Sequence, residues 1–224
     1  DRGIPPRRQA LHPPARGLPE GRELLRRHRR PVPPDERPDD GAEREIWATS
    51  HRRSDAPPLA EAINADFGHR SPNETRLLEI FPSLEGLRHT RRHLAHWSKP
   101  QRRPVSLWFQ PGRAEVRPQP LGCIGIITPW NYPIYLAVGP LTAAFAAGNR
   151  AMVKMSEFTP STATVLAELA HRYFTADELV IVEGDMAIAE AFSRLPFDHL
   201  LFTGSTAVGR HVMRAAADNL TPVT

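Results

Sequence analysis

The sequence predicts an α/β fold in which a mostly parallel sheet is covered by helices, and three observations predict it. From Leu121 onward short apolar runs alternate with segments of helical periodicity, an order that builds parallel sheets with helices on their faces. Ahead of Leu121 the apolar period is first that of helices and then, after Arg103, close to two. Residues 1 to 57 are crowded with Pro and Arg and show no sustained apolar periodicity, so no element is predicted there. These textures divide the chain into three predicted regions, 1–57, 58–120 and 121–224.

The first element is PLAEAINADFG, where Leu59, Ile63 and Phe67 form an apolar stripe on one helix face and Gly68 ends it. A second helix is predicted over NETRLLEIFPSLEGLRHTRRHLAHW, with Pro82 as a kink or break. The two should pack as a helical layer. VSLWF and AEVRPQP then read as strands of a hairpin whose Pro111 and Gly112 suit the central positions of a type II turn. Pro118 and Pro120 confine the second strand to an edge. The sheet follows as GCIGIIT, AMVK, ELVIV and HLLFT, with helices over Pro133–Ala147, Thr162–Tyr173, Ala187–Arg194 and Thr206–Ala217. LTPVT reads as the opening of another strand, so the sheet is predicted to be incomplete.

Composition narrows the function classes. The 224 residues, 40% hydrophobic, suffice for one domain and part of a second. No apolar run reaches the roughly eighteen residues of a membrane span, and the proline-broken N-terminus has no signal-peptide core, so a cytoplasmic protein is expected. The single cysteine excludes an internal disulfide and a cysteine-rich zinc site. Redox chemistry would have to come from a bound cofactor. Residues 1 to 57 hold 13 Arg against 10 Asp and Glu, +3 of the net +4. The remainder is close to neutral, and the acids interspersed among the arginines argue against a nucleic-acid partner. This first region meets globular sequence at a sharp seam and is expected to be disordered, or to be an upstream stretch read in a shifted frame.

Three strings fall where strands end, the edge at which parallel sheets bind ligands: TPWNYP at Thr128–Pro133, KMSE at Lys154–Glu157 and FTGST at Phe202–Thr206. Each also has a plain structural reading. Asn131 suits a turn, Lys154 and Glu157 a surface ion pair, and Ser205 or Thr206 an N-cap. The longer stretches PLGCIGIITPWNYP, AAGNRAMVKMSEFTP and FDHLLFTGSTAVGRHV together resemble the cofactor domain of the aldehyde dehydrogenase superfamily. ADFGHRS and RRPVSLWFQPGRAEVRPQP resemble its coniferyl-aldehyde dehydrogenase branch. The likeness runs from about Pro58 to Thr224.

That resemblance implies an incomplete Rossmann-like NAD(P)-binding domain, preceded by N-terminal helices and an oligomerisation-type hairpin arm. Asn131 would be the oxyanion donor, its side-chain amide stabilising the negative oxygen formed when a thiolate attacks an aldehyde. Thr128, Pro129 and Trp130, in the same loop, fall in the implied cofactor site. Lys154 and Glu157 would hold the hydroxyls of the adenosine ribose. An acidic side chain there repels a 2′-phosphate, which favours NAD while leaving NADP possible. Met155 stands where the family usually has proline, and a looser turn is expected. Ser205 would contact the diphosphate at a helix start, with Gly204 the close-approach position beside the nicotinamide. No G-x-G-x-x-G accompanies them.

Cys123 lies in the apolar run LGCIGII and is expected to be a small buried hydrophobe, not a nucleophile. His89, His93 and His96 share a helical spacing, but Arg88, Arg91 and Arg92 crowd the same stretch and no carboxylate joins them, so a solvated basic face and no metal are expected. The family's nucleophilic cysteine and general-base glutamate belong to sequence beyond Thr224. The resemblance therefore implies oxidation of an aldehyde, of aromatic coniferyl type, by a longer homodimeric relative, and no turnover by this chain alone. The alternative is a noncatalytic nucleotide-binding or interaction module.

Overall fold

The computed structural model describes residues 56–224; the Pro/Arg-rich stretch expected to be disordered or frame-shifted lies outside the described residues up to residue 55. Helix α1, Ala56–Phe67, buries Ala60, Ala62 and Ile63. It stops at Gly68, whose φ of +79° suits a residue without a side chain. A short helix α2, Pro72–Thr75, runs through a π-helical turn, Arg76–Ile80, into α3, Phe81–Trp97. The break expected at Pro82 is absent. The Phe81 N–H reaches back five residues to the Arg76 carbonyl, and Pro82 falls in the first turn of α3, where its missing N–H disrupts little.

The hairpin is present but differs from the expected one. Strands β1, Gln101–Arg103, and β2, Ala114–Val116, pair antiparallel with Gln101 opposite Val116. The predicted strand VSLWF instead holds one turn of 3₁₀ helix, Leu107–Phe109. Leu107, Trp108 and Phe109 are 83%, 91% and 71% exposed, so no covering face holds this run extended, and the pairing of β1 with β2 does not reach it. The type II turn is likewise replaced. The Gln110–Pro111 peptide is cis and Gly112 is not among the residues of positive φ. Its N–H donates to the Phe109 carbonyl at 2.7 Å, so the turn runs from Phe109 to Gly112 with proline in its third position.

The parallel sheet is as expected. It comprises β3, Cys123–Ile127, β4, Arg150–Lys154, β5, Leu179–Val182, and β6, His199–Phe202, in the order β5-β4-β3-β6. The joining helices are α4, Tyr135–Ala146, α5, Pro160–Tyr173, α6, Met186–Ser193, and α7, Thr206–Ala217. Both faces are covered. Ile124, Ile126, Ala151 and Val153 pack with Ala137, Leu141, Ala163 and Ala170 on one side. Cys123, Ile127, Met152 and Leu200 pack with Phe192, Phe197, Val212 and Ala216 on the other. The first face carries a further layer, because α1 packs on α5 and α3 on α4. Beyond α7, Val223 forms a parallel bridge with Leu200, and the Thr224 N–H donates to the Leu200 carbonyl at 3.0 Å. LTPVT thus opens another strand beside β6.

The connection order positions the site. The chain moves outward from β3 through β4 to β5, then returns to the far side of β3 as β6. A reversal of this kind leaves a crevice at the carboxyl ends of the strands beside it, where doubly wound sheets take their ligands.

Candidate functional site

Register defines the edge of that crevice. Ile127 pairs with both Lys154 and Phe202, and Lys154 pairs with Val182. From this row the chain leaves β3 into Thr128–Pro133, β4 into Met155–Glu157, and β6 into Thr203–Ser205. The three strings singled out in the sequence therefore emerge on one edge, joined there by Glu183–Asp185 after β5.

At the end of β4, Lys154 is 1% exposed. Its Nζ donates to the Met155 carbonyl and, at 2.8 Å, to the Gly184 carbonyl. Two of three ammonium protons are engaged, which leaves one donor for a ligand. Burial pushes this ammonium below the usual lysine range, while Glu157, Asp185 and Glu183 oppose the shift. A surface ion pair is not what forms here: Lys154 is buried and Glu157 is exposed. The looser turn expected from Met155 is not found either. Met155 is 1% exposed, and its N–H donates to the Val182 carbonyl at 3.0 Å, a bond proline could not make. The Thr128 N–H and hydroxyl both donate to the Lys154 carbonyl, at 3.1 and 3.2 Å, tying the ends of β3 and β4 together.

At the end of β6, Ser205 is the N-cap of α7, accepting from the Val208 N–H at 3.4 Å. The N–H groups of Thr206 and Ala207 have no intrahelical acceptor at this end, and Gly204 through Ala207 are exposed. A Cβ on Gly204 would stand 2.4 Å from the Phe202 ring. The close approach there is therefore already demanded by the strand's own last side chain.

The loop after β3 is fixed from outside the sheet. Asn131 is exposed, and its backbone carbonyl accepts from Arg70 Nη1 at 2.9 Å. Arg70 is 8% exposed and Glu79 fully buried, with Nη1 3.0 Å from Glu79 Oε1. The guanidinium also lies 5.0 Å from the ring centroids of both Phe67 and Tyr132, within reach of a cation–π attraction. Glu79 Oε2 accepts from the Ile134 N–H at 2.7 Å and the Tyr135 N–H at 3.3 Å. Burial pushes the Glu79 carboxyl above its usual range, and the Ile134 N–H, Arg70 and the Tyr135 N–H pull against that shift. A concavity of about 310 Å³ opens here, lined by Phe67, Arg70, Glu74, Asn131 and Tyr132. Trp130 is half-exposed, its ring 6.1 Å from that of Phe67.

Sequence reasoning missed Arg70 and Glu79. Arg70 lies between two helices, where no periodicity marks it. The only available signal was the spacing of Thr75, Glu79 and Ser83, polar residues four apart that are all buried. Cys123 is fully buried as expected, its thiol pushed up to about 12 by burial first and Asp198 second. In α3 the rings of His89 and His93 lie 4.2 Å apart and His93 stacks on Trp97 at 5.5 Å, so the histidine pair takes Trp97, not His96, as its neighbour. Among the described residues no group of three His, Cys, Asp or Glu is arranged to hold a metal, and no helix is long and apolar enough to cross a membrane.

The aldehyde dehydrogenase family model matches residues 48–224. The chain belongs to the aldehyde dehydrogenase family. Among curated aldehyde dehydrogenases it is 57% identical over 166 residues to a Pseudomonas aeruginosa protein named "Probable coniferyl aldehyde dehydrogenase", covering 74% of this chain and 35% of that protein. It is 53% identical to the coniferyl aldehyde dehydrogenase of Pseudomonas sp. strain HR199, covering 74% and 34%. The chain thus spans about a third of the length of these relatives. Among solved aldehyde dehydrogenases, the substrate-bound Staphylococcus aureus AldH superposes with a TM-score of 0.77 at 34% identity, covering 82% of this chain and 40% of that one. The Mycobacterium tuberculosis enzyme complexed with NAD+ gives 0.76 at 27% identity, covering 92% and 42%. Family membership favours the dehydrogenase reading over a noncatalytic module.

Proposed function

We propose that this chain is the cofactor-binding part of an enzyme that oxidises an aromatic aldehyde of coniferyl type to its carboxylic acid, with NAD as hydride acceptor. The observation that carries the reading is the convergence, at one sheet edge, of a buried lysine with a spare donor, an exposed helix start and a loop presenting Asn131. Those groups fit a dinucleotide. Lys154 and Glu157 would hold the adenosine ribose as donor and acceptor, the Ser205 end of α7 would face the diphosphate, and Thr128, Pro129 and Trp130 would flank the cofactor where the sheet order reverses. NAD bound there supplies the hydride acceptor.

Gly204 would allow the chain to pass close beside the nicotinamide. Glu157, Glu183 and Asp185, all within electrostatic reach of Lys154, would disfavour a 2′-phosphate, which supports NAD over NADP. Asn131 would donate its side-chain N–H to the oxygen that gains charge as a thiolate adds to the aldehyde. Cys123, buried in β3, cannot be that thiolate. Residues 121–224 bind the cofactor, residues 58–120 brace them, and the exposed hairpin residues Leu107, Trp108 and Phe109 serve a homodimer contact in the cytoplasmic enzyme.

The test is Asn131→Ala in the intact enzyme, followed by NADH formation from coniferyl aldehyde. Loss of one oxyanion donor lowers kcat by roughly a hundredfold to a thousandfold, with NAD affinity retained. An unchanged kcat would remove Asn131 from the chemistry.

A further inference from the structure

The Asn131 amide makes no hydrogen bond among the described residues, so its direction is set by the backbone that carries it. Thr128, at the start of the loop, is bonded to the end of β4. The rest of the loop is held by residues remote in sequence: Arg70 on the Asn131 carbonyl and Glu79 on the Ile134 and Tyr135 N–H groups. These two are themselves an ion pair at 3.0 Å, both buried.

We propose that Arg70 and Glu79 are positioning residues for Asn131, a buried pair that grips the loop at the Asn131 carbonyl and just beyond it and fixes where the amide points. The inference rests on the reading of Asn131 as oxyanion donor. Arg70 holds the carbonyl of Asn131 itself, and Glu79 holds the chain three and four residues on, so the intervening backbone is anchored at both ends. The Tyr132 ring, 5.0 Å from the guanidinium, adds a contact from the residue next to Asn131. Glu79 stands in the π-helical turn Arg76–Ile80, and π-turns recur in helices at functional sites. An oxyanion donor acts through preorganisation, and a misplacement of about 1 Å can cost roughly a hundredfold in rate.

The experiment compares Arg70→Lys, Asn131→Ala and the double variant in the intact enzyme, measuring kcat, KM and NAD affinity. One nitrogen, Nη1, serves both the Asn131 carbonyl and Glu79; lysine keeps the buried charge on a stem that ends short of the guanidinium nitrogens, so its ammonium loses that reach. We expect kcat to fall by about tenfold or more in Arg70→Lys, with NAD affinity within about twofold, and no further fall when Arg70→Lys is added to Asn131→Ala. Glu79→Gln, which keeps side-chain shape and an acceptor, should show the same dependence on Asn131 if Arg70→Lys fails to fold. Equal losses in both backgrounds, or a wild-type kcat in Arg70→Lys alongside a slow Asn131→Ala, would overturn the positioning role alone. A wild-type kcat in Asn131→Ala overturns the oxyanion reading and the positioning role with it.

Discussion

Lys154 is a buried cation at a strand end, and its burial links stability to pH. Its ammonium donates to two carbonyls and has no ion-pair partner at contact distance among the described residues, and burial disfavours its charged form. Because its folded pKa is lowered, the unfolded chain binds more protons over the interval between that value and the ordinary lysine value. Stability therefore rises with pH across this interval, and the full penalty of the buried charge is felt below it. Lys154→Met should flatten that rise, visible as a smaller gain in thermal midpoint as pH climbs toward about 10, the ordinary lysine value; an unaltered slope would assign the pH dependence elsewhere. Cys123 is the second residue-scale case. With a pKa raised to about 12 inside β3, it should resist alkylation at pH 8 until the protein unfolds, and labelling of the folded protein at the rate of a free thiol would contradict its placement.

The elements are joined by polar contacts that periodicity does not reveal. Asp66, at the end of α1, accepts from the Ser161 and Thr162 N–H groups and from the Thr162 hydroxyl at 2.7–2.9 Å. It caps α5, whose own N-cap Thr159 makes no side-chain capping bond. Asp66→Ala should cost about 1–2 kcal/mol, the value of an N-cap, read as a fall in thermal midpoint of a few degrees. In the central strand, a Cβ on Gly125 would stand 2.6 Å from the Phe197 ring and 2.7 Å from Leu200. Gly125→Ala should destabilise by about 1–3 kcal/mol through overpacking; a neutral effect in denaturant unfolding would mean that Phe197 moves freely. The apolar runs of β3 to β6 and the helices between them were legible because both faces of the sheet are covered, so hydrophobicity alone marks them. VSLWF was not, because alternation without a covering face leaves the backbone free to turn. Pro82 misled for a related reason: its cost depends on the hydrogen bond it deletes, and the π-helical turn had already altered the ladder there.

At the scale of the molecule, the site was legible as three strings at strand ends, and the parallel register of Val182, Lys154, Ile127 and Phe202 brings them to one edge. The Arg70–Glu79 pair was not legible, since nothing local to ADFGHRS or RLLEIFPS announces a contact with a loop more than fifty residues away. In the function proposed above this edge binds a dinucleotide through Lys154 and Glu157. Its most direct test is a calorimetric titration of NAD into the protein and into Lys154→Met and Glu157→Ala. One site per chain is expected, with affinity falling by about tenfold or more in each variant, the loss of a charge-assisted hydrogen bond to a ligand. No binding by the intact enzyme, or binding that both variants leave unchanged, would contradict it.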